Sequence, residues 1–208
     1  MEYISLAFKN GGPFMYVILA TFIFAIAIII ERFIYIAVRN RIDTTTFVNK
    51  VIELIQQGSV SSAVELCNRS SAALPMIAKA GLKKVGRPAQ EIQSAFEVAA
   101  MAEIPKLERR THYLSMLANV ATLLGLLGTI IGLIQSFQAV AAADSSQKAA
   151  LLSAGISVAM NTTAFGLIVA IPCMVFHSYI QSKTNTIIDE INENVARIYQ
   201  KIVKPKAS

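Results

Sequence analysis

The chain has 208 residues, of which 54% are hydrophobic and 15% charged, with a mean hydropathy of +0.54. That balance excludes an ordinary water-soluble enzyme domain and puts part of the chain in lipid. The net charge of +6 does not indicate nucleic acid, because 12 of the 19 Lys and Arg lie between Glu31 and Arg110 and five more follow Ser182. This clustering is the positive-inside pattern of a membrane protein and assigns both segments to the cytoplasm.

Charges are expensive at the bilayer centre, so uncharged stretches mark the membrane candidates. Three occur, Asn10 to Ile30, Thr111 to Ala143 and Ala149 to Ser182, of 21, 33 and 34 residues. The first matches the roughly 20 residues that cross hydrocarbon, and the other two, at ~1.5 Å per residue, reach about 50 Å and project beyond it. The first is not read as a cleaved leader. Its apolar run continues past Ala25-Ile26-Ala27 to Ile30, and Arg32, Arg39 and Arg41 follow, which orients an uncleaved helix with its N-terminus outside.

The expected layout is an all-α membrane protein with three transmembrane helices, the second and third long and extending into the cytoplasm. Residues 1–38 hold the outside N-terminus and first span, and 39–110 form a cytoplasmic region of short amphipathic helices. Residues 111–182 hold spans two and three with a short outside loop near 141–148, and 183–208 form a cytoplasmic C-terminal helix. Asp43 and Thr44 to Thr46 offer N-caps for a helix whose Val48, Val51, Ile52 and Ile55 share a face, with Gly58 as its stop. A second short helix covers Ser61 to Asn68. The Leu74-Pro75 step is expected to break the chain before a segment closed by Gly86 and Pro88.

From Ala89 one long helix is predicted to run into the second span, bent at Pro105, with Ile92, Phe96, Ala99, Ala100 and Glu103 as an imperfect stripe. Past the third span, Ile187, Ile191, Val195, Ile198 and Ile202 recur at spacings of three and four. Cys67 and Cys173 imply neither a disulfide nor a metal site. HExxH, GxSxG and P-loop patterns are absent, so neither enzyme nor cofactor is predicted.

The second span places Ser115, Ala118, Thr122, Gly125, Thr129, Gly132 and Ser136 on one small face, and Gly128 pairs with Gly132 as GxxxG. In the third span Gly155, Ala159, Thr162, Thr163, Gly166, Ala170 and Cys173 share an arc of roughly 100°, while Ser157 and Asn161 point away from it. Close helix packing accounts for such faces, with Gly125, Gly128, Gly132 and Gly166 as the contact points. Yet no Asp, Glu, Lys, Arg or His lies between His112 and Asp144 or between Lys148 and His177. Proteins that move ions usually carry an intramembrane carboxylate. This chain either moves no ions or relies on a partner for the titrating group.

The string Leu124-Gly125-Leu126-Leu127-Gly128-Thr129-Ile130-Ile131-Gly132 with Phe137 after it, and Gly155-Ile156-Ser157 followed by Thr163-Ala164-Phe165-Gly166 and Ala170-Ile171-Pro172, resemble the two signatures of the MotA/TolQ/ExbB proton-channel family. The likeness is close over Leu107 to Pro172 and rests on layout elsewhere. It implies an ion-conducting, proton-carrying stator subunit of an inner-membrane motor complex, assembled as a homopentamer. It also implies an ExbD/TolR-like single-span partner that supplies a membrane aspartate, with a TonB/TolA-like or motility component downstream.

On that resemblance Thr129 and Thr163 occupy pore-lining positions, Thr162 and Asn161 add oxygens to the ion pathway, and Pro172 lets the third helix flex. A neutral hydroxyl donates or accepts without trapping an ion. Val158 stands where many ExbB and TolQ proteins have a glutamate, which removes any proton relay through that position. His177-Ser178 replaces the family's Tyr-Asn pair. The polar Asn161-Thr162-Thr163 run keeps sodium open as the ion, and His112 and His177 are read chiefly as interfacial anchors. A structural membrane scaffold without conduction is the alternative reading.

Overall fold

The computed structural model describes residues 12–36 and 42–203; the expectations for Asn10, Arg39 and Arg41 lie outside them. Among the described residues seven helices follow one another: α1 Phe14–Ile34, α2 Thr44–Gln56, α3 Val60–Asn68, α4 Ala73–Leu82, α5 Ala89–Glu108, α6 Thr111–Ala142 and α7 Lys148–Val203. The described residues contain no strand. Among the described residues three helical stretches are long and apolar enough to cross a membrane: α1, the run of α5 and α6, and α7. The chain divides into two compact units, residues 1–30 with 110–179 and residues 31–109 with 180–208.

In the first unit, α1 buries Met15, Ile18, Thr21 and Ala25, spaced three or four apart as one helix face requires. The large side chains of α6, including Leu123, Leu126, Ile130, Ile134 and Phe137, are exposed, as are Ile168, Ile171 and Val175 of α7. Small residues inside and large apolar ones outside invert the arrangement of a soluble bundle and suit hydrocarbon. The turn between α6 and α7 is short, closed by the Gln147 amide donating to the Asp144 carbonyl at 2.9 Å.

The second unit has an ordinary hydrophobic core. Val48 and Val51 of α2, Ala63 and Cys67 of α3, and Leu74, Ile77 and Leu82 of α4 pack with Ile92 and Phe96 of α5 and Ile191 and Ile198 of α7. Asp43 caps α2, its carboxylate accepting from the Thr46 amide at 3.2 Å and the Thr46 hydroxyl at 2.6 Å, and those bonds hold the carboxyl below its usual range. Gly58 ends α2 at a φ of +74°, which glycine adopts without steric cost. Gly81 and Phe96 are in close contact in this core, since the Phe96 ring occupies the volume where a Cβ on Gly81 would sit. The same ring meets Tyr199 edge to face at 6.4 Å.

Two expectations are corrected here. Leu74-Pro75 does not break the chain but lies in the first turn of α4, where an amide has no helical partner and proline loses nothing. The long helix predicted from Ala89 is interrupted, and the interruption is not at Pro105, which remains inside α5. It falls at Arg109, which is extended (ψ 134°), and Arg110, at φ 67°.

The last carbonyls of α5, freed by that interruption, find a donor far away in the sequence. Nη1 of Arg32, at the end of α1, donates to the carbonyl oxygens of Lys106 and Leu107, each at 3.4 Å. The Arg32 side chain is 3% exposed, pairs with Glu31 at 3.4 Å and stacks on the Tyr35 ring at 4.7 Å. A cation at a helix C-terminus meets both the open carbonyls and the negative end of the helix dipole.

Candidate functional site: the threonine cluster between two apolar helices

The small faces of α6 and α7 meet each other inside one chain. A Cβ on Gly125 would lie 3.2 Å from the Thr162 carbonyl oxygen and 3.3 Å from the Gly166 Cα, and one on Gly166 would lie 2.7 Å from the Ala121 carbonyl oxygen. The two backbones therefore touch at Gly125 and Gly166, as small residues permit. Further along, Gly132 faces Ala159, and the Thr162 methyl fills the space beside Gly128, next to Phe14 of α1. Near the turn between α6 and α7, Gly155 faces Ser136, whose hydroxyl donates to the Leu151 carbonyl at 3.5 Å.

Thr129 and Thr163 lie at the centre of this contact, both half-buried. Their hydroxyls are in hydrogen-bond contact with each other. The Thr129 hydroxyl also reaches the Gly125 carbonyl at 3.1 Å and the Ala159 carbonyl at 3.0 Å, and the Thr163 hydroxyl reaches the same Gly125 carbonyl at 3.1 Å. Helix periodicity brings Gly125 and Thr129 into register four apart, and the close backbone approach at Gly125 brings Thr163 within reach. Among the described residues no group of three or more His, Cys, Asp or Glu could hold a metal.

The other sequence-selected residues stand apart from this cluster. Thr162 is 1% exposed and turns its hydroxyl back to the Val158 carbonyl at 3.0 Å, the back-bond common for helix threonines. Asn161 is half-buried and takes no part in the cluster. α7 continues through Pro172. His112 is exposed, its ring 5.5 Å from that of Tyr113, and His177 is half-buried. Sequence reasoning missed the Ala159 carbonyl as a member of the cluster, because a backbone acceptor leaves no mark on residue type.

The arrangement is a neutral, oxygen-rich seam between two helices that carry no formal charge for most of their membrane length. The model for the MotA/TolQ/ExbB proton channel family matches residues 69–193, more than half of the chain. The chain belongs to the MotA/TolQ/ExbB proton channel family. The matched segment takes in α4, α5, α6 and the Thr129–Thr163 cluster, and stops within α7. This is a family of channels, not of enzymes.

Similar proteins bear this out. The chain is 30% identical over 184 residues to a biopolymer transport protein ExbB homolog of Methanothermobacter thermautotrophicus, which takes in 88% of this chain and 65% of that protein. It is 29% identical over 195 residues to a biopolymer transport protein ExbB-like of Synechocystis, with 92% of each chain covered. A shorter match, 32% over 93 residues, joins 45% of it to 40% of the Tol-Pal system protein TolQ of Haemophilus influenzae. The chain thus spans just under two thirds of the first of these relatives and nearly all of the second.

Proposed function

We propose that this chain is the ion-conducting stator subunit of an energy-transducing complex in a bacterial inner membrane, carrying protons past the Thr129–Thr163 cluster. The N-terminus lies outside and the C-terminus in the cytoplasm. Five copies surround a single-span partner of the ExbD/TolR kind, whose membrane aspartate takes and releases the proton. A TonB/TolA-like or motility component receives the work. The observation that carries this reading is the pairing of hydroxyls with an absence of charge. α6 and α7 bring Thr129 and Thr163 together, yet no Asp, Glu, Lys, Arg or His lies between His112 and Asp144 or between Lys148 and His177.

A hydroxyl-lined path can hand on a proton or its water without a deep well, but it cannot store the proton. Storage therefore falls to a partner carboxylate. Val158 offers no carboxylate on the chain itself, and Thr162 and Asn161 are assigned to the margins of the path. Pro172, which lacks an amide proton, leaves one carbonyl of α7 unserved and is the point where that helix flexes.

The test is reconstitution. The chain co-purified with its single-span partner is placed in liposomes, and proton and sodium fluxes are recorded separately. Proton flux that vanishes when the partner aspartate becomes asparagine is the expected result, and no ion flux from the complete complex would overturn the proposal. One observation favours the scaffold alternative. The Thr129 and Thr163 hydroxyls are satisfied inside one chain, which is all that helix packing needs. A complex that assembles and never conducts would decide for it.

A further inference from the structure

We infer that the junction of α5 and α6 is a two-state element: Arg32 holds it broken, and release of that guanidinium joins the two helices into one, Ala89–Ala142. This stands apart from ion conduction. In α5 the helical ladder runs as far as the Arg109 amide, which donates to the Pro105 carbonyl at 3.0 Å. The next two rungs of an unbroken helix would run from the Arg110 amide to the Lys106 carbonyl and from the Thr111 amide to the Leu107 carbonyl. Those are the two carbonyls to which Nη1 of Arg32 donates. One side chain thus takes the place of two backbone donors.

Both forms suit the local sequence. Leu107, Glu108, Arg109 and Arg110 are good helix formers, and no glycine or proline lies between Pro105 and Gly125, so the residues themselves do not stop the helix. The broken form, by contrast, carries a strained residue. Arg110, at φ 67°, is the one non-glycine residue with a positive φ among the described residues, in a region that a residue with a Cβ seldom enters. Strain of this kind persists only where surrounding contacts impose it. Joining the helices relieves it and closes two rungs.

The latch itself is loosely made. Both carbonyl contacts of Nη1 and the bond from Nη2 to Glu31 are 3.4 Å long, beyond the usual range of about 2.7–3.2 Å, and Nε has no partner among the described residues. Two sets of donors for the same acceptors, neither much the stronger, make a bistable element that a small change at Arg32 can bias. The division of the chain into two compact units falls at the same step, between Arg109 and Arg110, whereas α7 passes its own division at Tyr179 and Ile180 without a break. A broken junction lets α6 turn about its axis without turning α5; an unbroken one carries the turn through.

The experiment places the full chain in lipid bilayers with arginine alone labelled in carbon and nitrogen, and selects by solid-state NMR a labelled carbonyl bonded to a labelled amide. Arg109-Arg110 is the one place in the sequence where arginine follows arginine, so the spectrum shows this junction by itself. In the parent chain Arg109 should give the carbon shifts of an extended residue and Arg110 those of a left-handed one. In Arg32→Met both should move to helical values, and in Arg32→Lys the two sets should appear together. The Thr111 amide should exchange about fivefold more slowly in Arg32→Met, the protection of one net hydrogen bond. Adding Arg110→Gly, which keeps the broken form without strain, should bring the parent exchange rate back. Arg109 shifts that stay extended in a folded Arg32→Met chain would overturn the switch, as would helical shifts in the parent. If neither Arg32 variant folds, the arginine is a fixed structural element and the inference falls as well.

Discussion

The hydroxyl of Thr129 lies against that of Thr163 across the contact of α6 and α7, and both reach one carbonyl, that of Gly125. Valine keeps the shape of threonine and deletes the hydroxyl, so Thr129→Val and Thr163→Val separate conduction from packing. Each loses hydrogen bonds worth about 1 kcal/mol, too little to prevent assembly. Ion flux should fall about tenfold, an added barrier of ~1.4 kcal/mol, while Thr→Ser at either position retains it. Flux and assembly both unaffected in the two valine variants would remove these residues from the pathway.

Gly166 tests the backbone contact. An alanine methyl there would lie 2.7 Å from the Ala121 carbonyl oxygen and 3.1 Å from the Gly125 Cα, and neither backbone atom can swing aside. Overpacking of this kind costs roughly 1–3 kcal/mol. Gly166→Ala should lower the melting temperature in detergent clearly more than Gly132→Ala, whose nearest neighbour is a side-chain methyl at 3.3 Å. Equal melting temperatures for the two would contradict the close approach.

Arg32 should be intolerant of conservative replacement. Arg32→Met leaves the Lys106 and Leu107 carbonyls without their donor, at a cost on the order of 1–3 kcal/mol for buried groups left unpaired. Arg32→Lys keeps the charge but not the planar fork and should recover only part of the loss. Hydrogen exchange at the amides of residues 107–112 is the measurement, with slower exchange expected at Arg110 and Thr111 in both variants and most in Arg32→Met. Exchange equal to that of the parent chain would show that the α5 end holds without the guanidinium.

Cys67 is 1% exposed, and burial pushes its thiol up from the ordinary 9.0 to about 11, because the thiolate would lose its hydration. The folded thiol therefore holds its proton more tightly than the unfolded one. Its contribution is complete below pH 9 and is lost as pH rises through about 11, since the unfolded chain ionises first and binds fewer protons. Chemical denaturation should show stability declining over that window in the parent chain and less so in Cys67→Ala. Maleimide labelling of the native protein at pH 7 should be negligible at this position; rapid labelling would mean that the α3–α4 core opens.

Charge placement made the three spans legible, and spacing made the apolar faces of α2, α5 and the end of α7 legible, because burial of one helix face leaves a period of three and four. What the small faces of α6 and α7 touch was not legible. A run of glycines and threonines states that something comes close without naming it, and here each helix is the other's neighbour. The interruption at Arg109-Arg110 left no local signal either. Neither residue is glycine, proline or asparagine, and Pro105, the visible breaker, stays helical. The donor that serves the carbonyls it frees lies 74 and 75 residues away, at Arg32, and a pattern confined to one window cannot register it. Leu74-Pro75 misled for the opposite reason, since a proline in a first turn and one at a break have the same letters.

The threonine cluster has a further property in its count of hydrogens. Four oxygens converge, those of Thr129, Thr163, Gly125 and Ala159, and only the two hydroxyls bring protons that can turn among them. However the hydroxyls rotate, lone pairs outnumber donors, and several arrangements differ only in where a hydrogen points. The seam is thus degenerate and donor-poor: water or hydronium arriving beside it brings what it lacks, and it can accept from one side and reorient toward the other with every heavy atom at rest.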